Sequence, residues 1–303
     1  MSTADPAEPG GPTRSRAATE EGSGARRDRE RPPAPEPLPH PVVDNHCHLD
    51  IADGDWLGVE DALAAATAVG VPRIVQIGCD LPGARWAVAA AAEHDALVAG
   101  VALHPNEAPR LAATGDLDAA LEEIERLATA HDKVRAIGET GLDHFRTGED
   151  GRAAQEESFR RHIDLAKRLG KTLVIHDRDA HDDVLRVLDE EGAPERWVMH
   201  CFSGDDAFAR RCLDRGAHLS FAGTVTFKNA APLRNALAVT PRDRLLVETD
   251  APFLTPTPWR GRPNASYLVP HTVRAMAEVL HADLEELCRA IDANTEAAFG
   301  GSW

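Results

Sequence analysis

The feature that most restricts the fold of this 303-residue chain is a regular alternation of short apolar segments with amphipathic ones. Eight apolar runs predict strands at 42–47, 73–78, 97–103, 134–138, 172–176, 196–200, 217–221 and 244–248. The amphipathic stretches between them predict helices at 57–69, 83–94, 116–131, 153–169, 180–191, 205–215 and 230–238. Eight strand–helix units predict a closed α/β (β/α)8 TIM barrel. An open doubly wound sheet is the alternative, disfavoured because no Gly-rich phosphate loop follows the first strand.

Residues 1–40 differ in composition from the rest of the chain. They contain 8 of the 21 prolines and no Phe, Trp or Tyr, so they have little apolar area to bury. This composition predicts a disordered N-terminal tail rich in Pro, Gly and Arg, followed by one barrel domain at 41–303. The six arginines of the tail are balanced by seven acidic residues, so a nucleic-acid-binding arm is the less favoured interpretation.

Charge and cysteine content narrow the class of protein. The formal net charge is −17, which disfavours broad, nonspecific attraction to nucleic acid or to an anionic membrane. No apolar run approaches membrane-spanning length, and the N-terminus has no apolar signal region. We therefore expect a cytoplasmic protein without membrane association. The five cysteines are scattered and are expected to be free thiols, and we expect a monomer.

Polar residues of the kind that bind metals lie at or just after the ends of several predicted strands. They are His46, His48, Glu139, His176, His200 and Asp250. Barrel enzymes carry their chemistry at the carboxyl ends of the strands, so these six side chains are expected to meet at one rim. A His-x-His pair alone is weak evidence for a metal site, since two histidines buried in the core would give the same pattern. Six coincidences at one rim predict a metal site.

The number of candidate ligands bears on the number of ions. Four histidines and two carboxylates exceed what one tetrahedral ion needs, so we predict two divalent ions about 3.5–4 Å apart, bridged by one carboxylate. Histidine ligands favour Zn, Mn, Fe or Ni, although a position richer in oxygen would accept Mg. Cys47 and Cys201 each follow a ligand directly, so strand alternation predicts that both point outward as packing residues.

Several motifs resemble those of the TatD family of metal-dependent hydrolases. They are Asp44-Asn45-His46-Cys47-His48-Leu49, Leu103-His104-Pro105, Ala136-Ile137-Gly138-Glu139-Thr140-Gly141-Leu142-Asp143, Val174-Ile175-His176-Asp177-Arg178, His200-Cys201-Phe202-Ser203-Gly204, Val225-Thr226-Phe227-Lys228-Asn229, Val247-Glu248-Thr249-Asp250-Ala251-Pro252-Phe253-Leu254, Arg260-Gly261-Arg262-Pro263-Asn264 and Asn294-Thr295. They occur in order over residues 42–303. The chain departs from the family pattern at His144-Phe145 and at Asn106.

This resemblance implies a barrel of the amidohydrolase type and a divalent-metal-dependent deoxyribonuclease activity. It also implies a division of the ligands, in which His46, His48 and Asp250 hold one ion and Glu139 bridges to a second. His176 and His200 would hold that second ion.

The expected mechanism is attack on phosphorus by a water that the ions activate, with Asp250 and Glu139 as catalytic residues. Asp250 is placed to accept the proton of that water. Substrate contacts are expected from His104, Asp143, Arg178 and Lys228. For His104, support of a metal ligand is an equally good interpretation. Further cations lie in the loops that follow the strands: Arg146, Arg260 and Arg262.

Three functions are compatible with these residues. The first is a 3′–5′ exodeoxyribonuclease that acts on short single-stranded DNA or on 3′ ends, in repair or DNA turnover. The second is a metal-dependent deacylase or amidohydrolase that cleaves an ester or amide, such as aminoacylated tRNA. The third is a non-enzymatic scaffold, which the complete ligand set disfavours.

Overall fold

Eight parallel strands form the centre of the computed structural model, which describes residues 11–19 and 26–301. The strands are β1 Val43–Cys47, β2 Arg73–Gly78, β3 Leu97–Val101, β4 Val134–Asp143, β5 Thr172–Arg178, β6 Trp197–Met199, β7 His218–Phe221 and β8 Leu245–Val247. Each strand pairs with the next one in chain order. The segment after β8 returns to β1, because Asp250 N donates to His46 O (2.9 Å) and His48 N donates to Ala251 O (2.7 Å). The strands thus make a nearly closed barrel, and the predicted fold class is confirmed.

Ten α-helices lie in the part of the chain that the structure describes. They are α1 Val59–Ala68, α2 Leu81–Glu93, α3 Glu107–Thr114, α4 Leu117–Ala128, α5 Glu149–Leu169, α6 His181–Glu191, α7 Asp206–Leu213, α8 Ala231–Val239, α9 Val269–Leu280 and α10 Leu284–Phe299. Seven of them match the predicted helices, whereas α3, α9 and α10 had not been predicted. Within residues 11–19 and 26–301, we find no helix with the length and apolarity to cross a bilayer.

The core has two layers because successive strand side chains point to opposite faces. Val75 and Ile77 of β2 lie inside the barrel, whereas Ile74 packs outward against the helices. Ala298 and Phe299, at the end of α10, belong to the inner group. Thr172 Oγ1, at the start of β5, donates to Ala298 O, so α10 covers the end of the barrel where the strands begin. The opposite end is where a site can form.

Strand β4 continues five residues beyond its predicted end because of a glycine. Gly141 has φ +140° and pairs with His176 on β5, and a Cβ at this position would overlap the His176 carbonyl oxygen. Glycine is the residue that permits both this backbone conformation and this approach. The close approach holds β4 and β5 together beside Glu139 and His176.

The described part of the predicted tail lies against the barrel. Residues 11–19 and 26–40, which we call the N-terminal segment, place Arg14–Ser15 in a short parallel pairing with Ile51–Ala52. Arg27 forms a buried two-pronged ion pair with Asp53, and Tyr267 donates to Pro32 O. The expectation of disorder does not hold for these residues, because polar contacts fix them where apolar burial is small. Residues 1–10 and 20–25 of the predicted tail lie outside the described residues, and the domain division at residue 40 stays a prediction.

Candidate metal centre

The six predicted ligands meet at the carboxyl ends of the strands. His46 lies in β1 and His48 directly after it, Glu139 in β4, His176 in β5, His200 after β6 and Asp250 after β8. All six are buried or nearly so. Four sets of three side chains could each hold an ion: His46, His48 and Asp250; His46, His200 and Glu248; His48, Cys79 and Glu139; and His104, Glu139 and His176.

One half of the centre is formed by the His-x-His pair and the carboxylate after β8. Asp250 Oδ1 lies 3.4 Å from His48 Nε2 and 3.8 Å from His46 Nε2. The two imidazole rings are close to perpendicular, with centroids 5.1 Å apart. Three ligand atoms therefore surround one small space.

The other half is organised by the carboxylate of Glu139. Its Oε1 lies 2.6 Å from His176 Nδ1 and 3.1 Å from His200 Nε2. Its Oε2 faces the first half, 3.5 Å from His46 Nε2 and 3.9 Å from His48 Nε2. A carboxylate whose two oxygens face two ligand groups has the arrangement that a bridge between two ions requires.

Unsatisfied buried nitrogens show that these residues fit metal ions. Three buried ring nitrogens have no hydrogen-bond partner among the described residues: both nitrogens of His46, and Nε2 of His176. Buried polar atoms are nearly always paired, so such atoms call for a ligand. The tautomer of His48 is set by Nδ1, which donates to Ile77 O (2.9 Å) and so directs the Nε2 lone pair into the centre.

The electrostatics keep both carboxylates ionised. Burial alone would raise the pKa of Glu139, but the charges of His200 and His104 and hydrogen bonds from His104 and His176 outweigh it, and the pKa falls well below its usual value. The pKa of Asp250 is also lowered, because the hydrogen bond from His48 and the neighbouring histidine charges exceed the effect of burial. Ionised carboxylates are the form that binds metal.

Two side chains that the sequence analysis did not single out support these ligands. Glu248, fully buried, accepts a hydrogen bond from His200 Nδ1 (2.9 Å). Cys79 Sγ lies 3.2 Å from Glu139 Oε2 and 3.8 Å from His48 Nδ1. Glu248 directly follows β8 and stands two residues before Asp250, and this position at a strand end was the available signal. For Cys79, the only signal in the sequence was its position directly after β2, at a strand end.

A cavity of about 930 Å³ opens above the centre. His104, Arg146 and Arg178 line it, and the substrate contacts expected of His104 and Arg178 stay a prediction. Asp143 and Lys228 are not among the described residues that line the cavity. Asp143 is buried and accepts hydrogen bonds from Arg146 N (2.8 Å) and Asn106 Nδ2 (3.0 Å).

The contacts of Asp143, Arg260 and Arg262 change the interpretation of these three predicted residues. Asp143 Oδ2 lies 3.4 Å from His176 Nε2, so its contacts favour a positioning role over a substrate contact. Arg262 pairs with Asp28 of the N-terminal segment (2.8 Å), and the Arg260 guanidinium lies 4.3 Å from the centre of the Phe227 ring.

The prediction for one cysteine was wrong. Cys47 packs in the outer core, as expected. Cys201, however, lines the cavity and has φ +44°. Strand β6 ends at Met199, so His200 and Cys201 lie in a turn where the alternation of a strand no longer applies.

A (β/α)8 barrel with a histidine and carboxylate cluster at the carboxyl ends of its strands is the architecture of a metal-dependent hydrolase. The comparisons with known proteins agree. The family model described as TatD related DNase matches residues 43–300, so the chain belongs to this family.

The alignments with individual relatives cover nearly the whole length of each relative. The "Uncharacterized metal-dependent hydrolase TatD" of Mycobacterium tuberculosis is 47% identical over 267 residues, which span 86% of this chain and 99% of the relative. The "Uncharacterized metal-dependent hydrolase YabD" of Bacillus subtilis is 38% identical over 85% of this chain and 98% of its own. The solved structure of YJJV, a TatD homologue from Escherichia coli, has a TM-score of 0.79 at 27% identity, covering 86% of this chain and 98% of that one.

Proposed function

We propose that this hydrolase cleaves phosphodiester bonds with two divalent ions, as a 3′–5′ exodeoxyribonuclease acting on short single-stranded DNA or on 3′ ends. The observation that carries the proposal is the division of the Glu139 oxygens between two groups of ligand nitrogens. Centres with two ions suit in-line displacement at phosphorus. The match to a family described as TatD related DNase supports a nucleic-acid substrate.

Six side chains would hold the ions. In the proposed division, His46, His48 and Asp250 surround one position, His176 and His200 the other, and Glu139 lies between. Ions bound there would lower the pKa of water and stabilise charge on phosphoryl oxygens. The candidate ions are Zn, Mn, Mg and Ni.

The protein's own groups supply positioning and proton transfer. Asp250 lines the cavity, and its lowered pKa keeps the carboxylate able to accept a proton from an attacking water. Glu248 orients His200 through its Nδ1. His104 Nε2 lies 3.4 Å from Glu139 Oε1, and its ring also lines the cavity, so it is placed to contact the scissile phosphate.

Charge in the cavity favours a phosphate-bearing substrate. Arg146 and Arg178 line it although the whole chain has a net charge of −17. The Arg178 guanidinium lies 3.8 Å from the centre of the Phe145 ring, and Phe145 is 62% exposed. An exposed aromatic ring beside an arginine offers a surface on which a base can stack. A short single strand meets both features better than a long duplex.

The test is digestion of end-labelled single-stranded DNA by metal-stripped protein to which Mg, Mn, Zn or Ni is returned. A 5′-labelled strand should give a ladder, and a 3′-labelled strand should release labelled mononucleotide at once. Glu139→Gln and Asp250→Asn should each reduce the rate at least about 100-fold. The matched controls Glu122→Gln and Asp116→Asn change exposed carboxylates and should leave the rate unchanged.

Intact DNA under every metal, with the ions bound, would overturn the proposal. Release of amino acid from aminoacylated tRNA, with the RNA backbone left whole, would then establish the deacylase alternative.

A further inference from the structure

The N-terminal segment forms one wall of the cavity. Five of its residues line that cavity: Arg14, Arg16, Ala17, Thr19 and Arg27. All of them precede residue 43, where the family match begins. Because 86% of this chain accounts for 99% of the Mycobacterium tuberculosis relative, that relative has almost no residues left with which to build such a wall. The wall is therefore a feature of this chain that the shared barrel does not supply.

The segment is fixed to the barrel beside the first half of the metal centre. Thr13 N donates to Asp50 O (2.8 Å) and Arg16 N donates to Ala52 O (2.8 Å), which places the arginines next to the loop that follows His48. Arg16 Nη1 also donates to Pro252 O (2.9 Å), two residues after Asp250. These contacts determine where the guanidinium groups lie.

The Phe253 ring contacts both the Arg16 guanidinium group and the ring of His48, a predicted metal ligand. The Arg16 guanidinium carbon is 4.8 Å from the centre of the Phe253 ring, and that centre is 6.2 Å from the centre of the His48 ring. The side chain of Arg16 is 29% exposed and that of Arg14 is 45% exposed, so both can reach a ligand in the cavity.

The charge of this wall is positive on the side that faces the cavity. Arg16 and Arg27 share one carboxylate, that of the fully buried Asp53. Arg14 forms a long ion pair with Asp80, at 3.4 Å. Neither aspartate is among the described residues that line the cavity, whereas all three arginines are. Among the described residues, these three guanidinium groups therefore pair with only two carboxylates.

The opposite wall carries the other arginines. Arg146 follows β4 and Arg178 ends β5, whereas the N-terminal segment contacts the loops after β1 and β8. In a barrel of eight strands, β1 and β5 lie on opposite sides. The predicted metal ligands lie between these two positive walls.

We propose that Arg14 and Arg16 bind a phosphate group of the nucleic-acid strand that flanks the scissile one, on the side of the centre opposite Arg146 and Arg178. The inference rests on the proposed function and adds a specificity-determining element to it. A substrate with several phosphates reaches these arginines, and a diester with one phosphate does not. Arginine is suited to the role because its planar fork matches phosphate oxygens.

The experiment measures binding without turnover. Fluorescence anisotropy in EDTA gives the Kd of a 5′-fluorescein-labelled thymidine tetranucleotide over a range of salt concentrations. Arg14→Gln with Arg16→Gln should raise Kd about tenfold, because glutamine cannot make a charge-assisted hydrogen bond to phosphate. The slope of log Kd against log salt should fall by about 0.7 for each phosphate that the variant no longer neutralises.

Two further variants separate charge from packing. Arg31→Gln alters an arginine of the same segment, whose Nη2 donates to Asp55 O outside the cavity, and should bind like the wild type. Arg14→Lys with Arg16→Lys keeps both charges, so it should keep the wild-type salt slope. Lysine variants that behave like the glutamine variants would show that packing matters and would overturn the proposal.

Hydrolysis distinguishes this proposal from the proposed function. With metal present, the glutamine variant should lose about tenfold in kcat/KM on the tetranucleotide and remain within about twofold of wild type on bis(p-nitrophenyl) phosphate. Equal loss on both substrates, unchanged or tighter binding in EDTA, or no binding of the tetranucleotide by the wild type would overturn the inference. Binding that depends on the arginines, without cleavage under any metal, would instead overturn the nuclease function and leave this inference standing.

Discussion

Glu248 offers a sharp test of the candidate metal centre because it contacts one predicted ligand and lies outside the cavity lining. Its Oε1 accepts from His200 Nδ1 at 2.9 Å, which directs Nε2 of that ring toward Glu139 Oε1, 3.1 Å away. Glu248→Gln keeps an acceptor but removes the charge, and we expect it to weaken metal binding about tenfold. Glu248→Ala leaves a buried N–H without an acceptor, so we expect a loss of about 100-fold in metal affinity and about 1–3 kcal/mol in stability.

Titration of metal-stripped protein with Zn against a chelating indicator measures these affinities, and Glu122→Gln serves as the exposed control. A double-mutant cycle with His200→Ala separates the Glu248–His200 interaction from general damage. If Glu248 acts through His200, then Glu248→Gln in the His200→Ala protein should cost less than about twofold. A loss near tenfold in that background, or none in the single variant, refutes the reasoning.

Three further predictions concern stability and local order. Gly141→Ala should abolish folding or metal binding, because its Cβ would overlap the His176 carbonyl oxygen; solubility and circular dichroism test this. Burial lowers the pKa of His162 to about 4, whereas the same side chain in the unfolded chain has a pKa near 6.5. Between these two values, the unfolded chain binds a proton at His162 and the folded protein does not. Stability should therefore fall by about 3 kcal/mol between pH 6.5 and pH 4 relative to His162→Gln, measured as a pH-dependent difference in Tm, and a constant difference would contradict the assignment. Asp53→Asn should leave the charge of the buried Arg27 uncompensated, which should destabilise the N-terminal segment by about 3–5 kcal/mol. The backbone amide of Arg16, which donates to Ala52 O, should then exchange its hydrogen at least about 100-fold faster, while the amides of Leu97–Val101 stay protected. Unchanged exchange at Arg16 would show that the ion pair does not hold the segment.

The barrel, and the clustering of the candidate ligands at one of its ends, could be predicted because both follow from local patterns. Strand runs such as 73–78 alternate an outward Ile74 with an inward Val75, and this pattern marks a strand wherever it occurs. A polar residue at a strand end, such as His176 or Glu139, contrasts with an apolar interior. Parallel strands in one barrel bring such ends together, so separate positions in the sequence predict one site.

The supporting residues could not be predicted in the same way, because their roles depend on packing between distant segments. Nothing in the spacing of Glu248 shows that its partner is the His200 ring, 48 positions away. Cys201 failed for a related reason, since the prediction extended strand alternation two residues past the true end of β6. Helices α9 and α10 follow the last predicted strand, where no further strand remained to frame them.

The N-terminal segment explains why composition was misleading here. A Pro-rich stretch without aromatic residues lacks the apolar area that usually offsets ordering entropy, and disorder is the ordinary expectation. In this chain, a parallel pairing beside His48 and the buried pair of Arg27 with Asp53 fix the segment in place of apolar burial. Each of these contacts has its partner in the barrel. The placement of the segment therefore depends on long-range polar partners that its own composition does not reveal, and these contacts bring its arginines to the cavity.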